Sequence, residues 1–181
     1  EISIDGGAYA NIGSPATIAG ANLGGTQNAT ITDNNVEALG AYAEGVVLTF
    51  KAKLTDTAGN STTGGVSGTT ITVDQLAPTV DTFIMSDTTL KTGETSTVTL
   101  VFSEAVTGFS SDDDVTAPNG ILAAMTSGDN ITWTGTYTPT ADVEDATNVL
   151  TLGTSYTDVA GNTGPSANTS NYIVNTKNDP P

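Results

Sequence analysis

The chain has 181 residues, with four Lys or Arg against 20 Asp or Glu, a formal charge of −16, and neither His nor Cys. Such a cation-poor surface cannot neutralise phosphates, which excludes nucleic acid as a partner. The missing Cys and His exclude disulfides, the usual zinc sites and every imidazole-dependent catalytic dyad or triad.

The remaining composition is rich in Thr, Gly, Ala, Asp and Asn, and apolar residues alternate rather than recur at helical spacing. An all-β protein with almost no helix is expected. No apolar run is long enough to cross a bilayer, so no membrane insertion is expected. The opening EISIDGGAYA lacks a basic, then apolar, signal; if the parent protein is secreted, its address is expected outside these residues. Ca2+, a hard cation that takes oxygen ligands, is the natural counter-ion for the carboxylate excess. A simply solvated acidic surface is the alternative.

The first strong element is VVLTFKAKLTD. Val46, Leu48, Phe50, Ala52 and Leu54 fall on one face and Lys51 and Lys53 on the other, as in a half-buried antiparallel strand. The outward lysines argue against a Lys-to-Asn crosslink. The turn LTDTAGN at 54–60 follows, then TTITVD, with Ile71 and Val73 pointing inward. Pro78 in DQLAPTVDTF breaks strand pairing and marks a boundary. The expected organisation is a first domain at 1–75 that lacks N-terminal strands, a complete domain at 76–177, and the start of a linker at 178–181.

The second domain reads as seven strands: 79–85; STVTLVF, with Val98, Leu100 and Phe102 inward; a short piece at 106–110; GILAAMT; ITWTGTYTP, with Ile131, Trp133 and Tyr137 on one face; VLTLGTSYTD, with Leu150, Leu152 and Tyr156 in phase; and NYIVNT. Seven short strands with turn signals between them make an antiparallel sandwich of the immunoglobulin type. Trp133 is expected to fill the core. Asp112, Asp113 and Asp114 are expected in a solvated loop, and ADVEDATN at 141–148 in an exposed one.

YTDVAGN at 156–162 repeats LTDTAGN about a hundred residues on, the length of one such sandwich. In that topology the loop holding SEAV, with Glu104, and the loop holding TDVAGN, with Asp158 and Asn162, share the pole where the chain enters, bringing Asp74 and, further on, Asp81. Calcium takes six to eight such oxygens. The Gly before Asn162 lets the loop curl so that the Ala160 carbonyl can turn inward. Asp74, Glu104, Asp158, Ala160 and Asn162 are therefore the candidate metal ligands. An Asx-turn, in which Asp and Asn satisfy their own backbone, is the competing account of both AGN loops.

Residues 76–176, with LAPTV, MSDTTLKTGETSTVTLVFSEAVTGFSS, NGILAAMTS, ITWTGTYTPTADVEDATNVLTL and YTDVAGN, resemble a bacterial Ig-like repeat of giant secreted adhesins and biofilm-associated proteins, including those of the RTX type. Residues 1–74 are similar to the latter part of a second repeat type. The resemblance implies tandem Ig-like β-sandwiches, secretion to the bacterial cell surface, calcium near domain junctions, and neighbouring repeats of a monomeric chain as partners. It carries over Glu104, Asp158, Asn162 and the repeat-terminal Asp74. Where the first repeat ends in TVD the second ends in IVN; Asn175 replaces the acid, and Asp179 could compensate.

The reading is a non-enzymatic extender module of a surface adhesin, stiffened by junctional calcium. The alternative is direct binding of glycan, ice or protein, which needs an exposed aromatic platform or a regular Thr array. Tyr9, Tyr42 and Trp133 are the aromatics to map for it, while the Thr residues read as scattered. Paired carboxylates acting on glycosides form the third class, which needs a cleft that no motif supplies.

Overall fold

A computed structural model describes residues 2–4, 6–9, 31, 36 and 43–178; Tyr42 and Asp179 lie outside them. The chain divides into two compact units, Glu1–Gln75 and Leu76–Pro181.

In the first unit, strand β2 (Val47–Thr55) lies between β1 (Ile2–Ile4) and β3 (Ser61–Val66), and also pairs with β4 (Ile71–Thr72). All these pairings are antiparallel. Val46, Leu48 and Val73 are buried together, with Val36 and Phe50 packed against them. Lys51 points its ammonium at the face of Tyr9, 4.1 Å from the ring centroid, a cation–π contact.

The inward phase stops earlier than the alternation suggests. Ala52 is exposed, and Leu54 and Ile71 are 55% and 52% exposed. The ladder slips between Lys51 and Lys53, and from there β2 pairs with STTGGV, whose residues are all exposed. Leu54 lies opposite Thr62, an exposed polar residue that gives it no apolar cover. The alternation marked a strand face, but the core ends at Phe50.

The second unit is built on a four-stranded antiparallel sheet in the order β10 (Gly120–Leu122), β11 (Thr132–Pro139), β7 (Ser96–Phe102), β5 (Val80–Met85). Across the core lie β12 (Glu144–Asn148), β16 (Tyr172–Asn175) and β6 (Thr89–Lys91), in that order. A further three-stranded set joins β15 (Ala167–Asn168), β13 (Thr151–Leu152) and β9 (Val115–Thr116), and β14 (Thr157–Asp158) pairs with β8 (Val106–Thr107). This is the antiparallel, Ig-like β-sandwich expected. The pairing of β16 with β6 is the parallel exception.

Val98, Leu100 and Phe102 meet Leu90, Leu150, Leu152, Tyr156, Tyr172 and Val174 in one core, all of them at most 1% exposed. Trp133 packs on its margin, its ring 4.8 Å from that of Phe109. Three buried tyrosines place their hydroxyls on backbone carbonyls: Tyr137 and Tyr172 donate to Pro118 and Tyr156 to Pro165, each at 2.7 Å. A Cβ on Gly164 would stand 2.0 Å from the Tyr156 ring, so only glycine lets that backbone pass.

Three expectations are corrected. Residues 144–148 form β12, held by antiparallel pairing to β16, rather than an exposed loop; Asn148 turns inward and donates to the Tyr172 carbonyl. Ser111–Asp114 make a single helical turn, α1. Within it Asp112 and Asp113 are exposed as expected, but Asp114 is buried. The turn geometry rotates Asp114 inward, where its carboxylate accepts from the Ser110 N–H at 2.8 Å and from the Ser155 hydroxyl.

Candidate metal centre

The two AGN loops are built alike. Asp56 Oδ1 accepts the N–H groups of Ala58 and Asn60 at 2.9 and 2.8 Å, and Asp56 Oδ2 accepts from Asn60 Nδ2 at 2.9 Å. Asp158 Oδ1 accepts the N–H groups of Gly161 and Asn162 at 2.7 and 2.9 Å, and its Oδ2 accepts from Asn162 Nδ2 at 2.8 Å. The backbone closes each loop in the same way, Asp56 N–H to the Asn60 carbonyl at 2.9 Å and Asp158 N–H to the Asn162 carbonyl at 3.0 Å. Gly59 and Gly161 sit at φ +91° and +102°, a region that disfavours any Cβ. The motif is thus an Asx cage, and it spells out why Asp, Gly and Asn recur at fixed spacing.

Their surroundings differ. Asp56 is exposed, between β2 and β3, whereas Asp158 is fully buried. Two interactions fix Asp158: β14 pairs it opposite Val106, and Asn162 Nδ2 also donates to the Leu76 carbonyl at 3.1 Å. The turn bearing Glu104 is anchored next to it. Ser103 N–H donates to the Thr79 carbonyl at 3.0 Å, and Thr79 N–H to Ser103 Oγ at 2.9 Å. Beneath both runs an aromatic floor, Phe102 and Tyr156 with ring centroids 5.0 Å apart, each two residues before its carboxylate. Glu104 and Asp158 consequently present carboxylate oxygens within 4.8 Å of each other.

Electrostatics favour the ionised Asp158. Burial works to raise its pKa, but hydrogen bonds from the Asn162 side chain and from the N–H groups of Asn162, Gly161 and Ala160 together hold it below the ordinary carboxylate value. Asp56 is also held low, chiefly by the Asn60 side chain. Burial, then the Asp114 charge, pushes Tyr156 up to about 12.

Of the residues singled out in the sequence, Glu104, Asp158 and Asn162 come together in the second unit, with Asn162 turning its amide nitrogen to the carboxylate. Ala160 is exposed in the same loop. Asp81 is exposed and accepts from the Thr79 hydroxyl at 3.1 Å. Asp74, half-buried, closes the first unit directly after the buried Val73. By their chemistry Glu104 and Asp158 are two carboxylates of the second unit able to share a metal ion. Sequence reading did not anticipate the Leu76 carbonyl as an Asn162 acceptor; its signal was the neighbouring Pro78, which keeps the segment extended and its carbonyls outside any helix.

Residues 74–174 match the bacterial Ig-like domain. A sandwich with this strand order, and a match over more than half its length, define the class: the chain belongs to the bacterial Ig-like domain family. Domains of this family are usually found on surface or secreted proteins, and no catalytic family is assigned to the chain. No match emerged among curated proteins or among solved structures.

Proposed function

We propose that the chain is a structural extender of a large bacterial surface adhesin, two Ig-like sandwiches in tandem stiffened by calcium where one domain follows the other. The observation that carries this reading is the Glu104–Asp158 pair, two carboxylates with oxygens within 4.8 Å on a chain of charge −16. Like charges that close repel unless a cation intervenes. Asp74, in the segment leading into the second unit, is the proposed third carboxylate, and the Ala160 carbonyl completes the proposed oxygen set, with the Asn162 amide nitrogen holding Asp158. A cation bound only to the ordered arrangement stabilises it by about 2.7 kcal/mol at a hundredfold excess over Kd. With Kd on the order of 0.1–1 mM, as in extracellular modules, the tandem is stiff outside the cell and loose in the low-calcium cytoplasm.

Thermal unfolding in EDTA and in about 0.1 to about 10 mM calcium, with small-angle scattering, tests the reading. A higher Tm and a longer, sharper scattering profile with calcium are expected; indifference in both overturns it.

The direct-binding alternative gains one specific observation. Thr132, Thr134, Thr136 and Thr138 lie exposed at every second position of β11, beside exposed Thr97 on β7. These five threonines share one sheet face, because a period of two sends every alternate residue outward. Glycan-array binding that is lost on Thr134→Lys would favour this second reading.

A further inference from the structure

We propose that Asn162 is a positioning residue that holds the Asp158 carboxylate and the Leu76 carbonyl in place before any cation arrives, so that the candidate site is preformed and not assembled by metal. This rests on the calcium reading above. One amide nitrogen makes both contacts, to Asp158 Oδ2 at 2.8 Å and to the Leu76 carbonyl at 3.1 Å. It ties the loop at 158–162 to the segment where the second unit begins, 86 residues earlier in the chain.

The comparison within the molecule separates two layers of this arrangement. Asn60 donates to Asp56 with nearly the same geometry, at 2.9 Å, on a loop that is fully exposed. The cage is therefore a local property of Asp, two spacers, Gly and Asn. The contact to Leu76 is not local; the fold of the second unit adds it. An –NH2 group has two donor hydrogens, and the Asn162 amide nitrogen serves both the cage at Asp158 and the neighbouring segment at Leu76.

The chemistry explains why an amide rather than a carboxylate belongs at this position. Asp158 is fully buried, with a Glu104 oxygen within 4.8 Å. The positive end of the Asn162 amide dipole acts with the N–H groups of Gly161 and Asn162 to offset that charge before a cation binds. The amide thus does in the empty site part of what a cation does in the loaded one, and the loop stays closed in both. Replacing it by Asp, of nearly the same shape, removes both donors and adds a third negative group. That single change should convert a loop indifferent to calcium for its closure into one that requires it.

The experiment uses residues 1–181 with calcium alone as the probe, measuring Tm in EDTA and in calcium, calcium affinity by titration calorimetry, and hydrogen exchange of the Asn162 side-chain amide. In EDTA the wild-type side-chain amide should exchange slowly. Asn162→Ala should melt lower in EDTA and bind calcium on the order of tenfold more weakly, as for other residues that orient a metal ligand. Asn162→Asp should melt lowest in EDTA and show a larger calcium-induced rise in Tm than the wild type. Wild-type calcium affinity in Asn162→Ala, a wild-type calcium response in Asn162→Asp, or fast wild-type side-chain exchange in EDTA overturns the proposal. A wild type that ignores calcium, with Asn162→Ala still melting lower in EDTA, removes the calcium reading and leaves the latch standing.

Discussion

The loop at 56–60 and the loop at 158–162 share the Asp-x-Ala-Gly-Asn pattern and an internal hydrogen-bond cage, yet Asp56 stands exposed between two strands and Asp158 is buried beside a second carboxylate. Local sequence sets the shape of such a turn; what surrounds it decides what the turn can do. Asp56 has its charge satisfied by its own loop, with water beyond. Asp158 has the same satisfaction within the loop, but Val106, Leu76 and Glu104 around it come from remote parts of the chain. A motif search finds both loops and ranks them equally, whereas the fold does not.

Alkaline titration should separate the two units most strongly. Tyr156 lies at the root of the second loop, and its folded pKa, about 12, stands above the unfolded value of 10.0. A pKa raised on folding contributes stability that is complete below the unfolded value and is lost as pH rises through the folded one. The second unit should therefore weaken between pH 10 and about 12, followed by tyrosinate absorbance alongside circular dichroism. Next in size, Asp158→Ala leaves the Gly161 and Asn162 N–H groups without their buried acceptor, at a cost of about 2 kcal/mol, measurable by urea unfolding. Asp56→Ala, whose loop faces water, should leave the urea midpoint close to that of the wild type; equal losses in the two variants would break the comparison. Gly161→Ala and Gly59→Ala should each cost about 1 kcal/mol, since the backbone demand is the same in both loops. Smallest is the acid limb. Asp56 and Asp158 are both held below the ordinary carboxylate value, so the stability they contribute is present above their unfolded pKa and fades as pH falls through the lower folded values. Tm measured from neutral pH to below pH 4 should decline late, with the Asp158→Asn variant declining less.

Where one face of a strand is buried, the sequence was a good guide. STVTLVF became β7 over the same seven residues, and Val98, Leu100 and Phe102 went to the core, because strict alternation beside a well-filled interior leaves one register. Leu150, Leu152 and Tyr156 were likewise in phase, though the expected single strand at 149–158 is split into β13 and β14. Short polar elements were not legible. β12 reads EDATN and carries no alternation of apolar residues; what makes it a strand is the partner β16, where Tyr172 lies 24 residues beyond Asn148. Asp114 was misplaced for a related reason, since three adjacent carboxylates read as solvated until a helical turn sends one of them inward. At the candidate site the residue types were legible and their proximity in the second unit followed from topology. The orientation of the Asn162 amide was not, because an Asx cage and a ligand shell draw on the same letters.

The parallel pairing of β6 with β16 bears on how the second unit answers a pulling force. Thr89, Leu90 and Lys91 lie opposite Ile173, Val174 and Asn175 in the same direction. Tension applied to the two ends of the unit reaches β6 from its N-terminal side and β16 from its C-terminal side. In a parallel pair those pulls slide one strand along the other, so the bridging bonds are loaded together instead of being peeled open one at a time. The ladder is short, yet Leu90 and Val174 in its middle are fully buried, so sliding must also drag apolar side chains out of a close-packed interior. A pull on the ends of this unit would therefore meet a clasp at β6 and β16 that must slip as a whole.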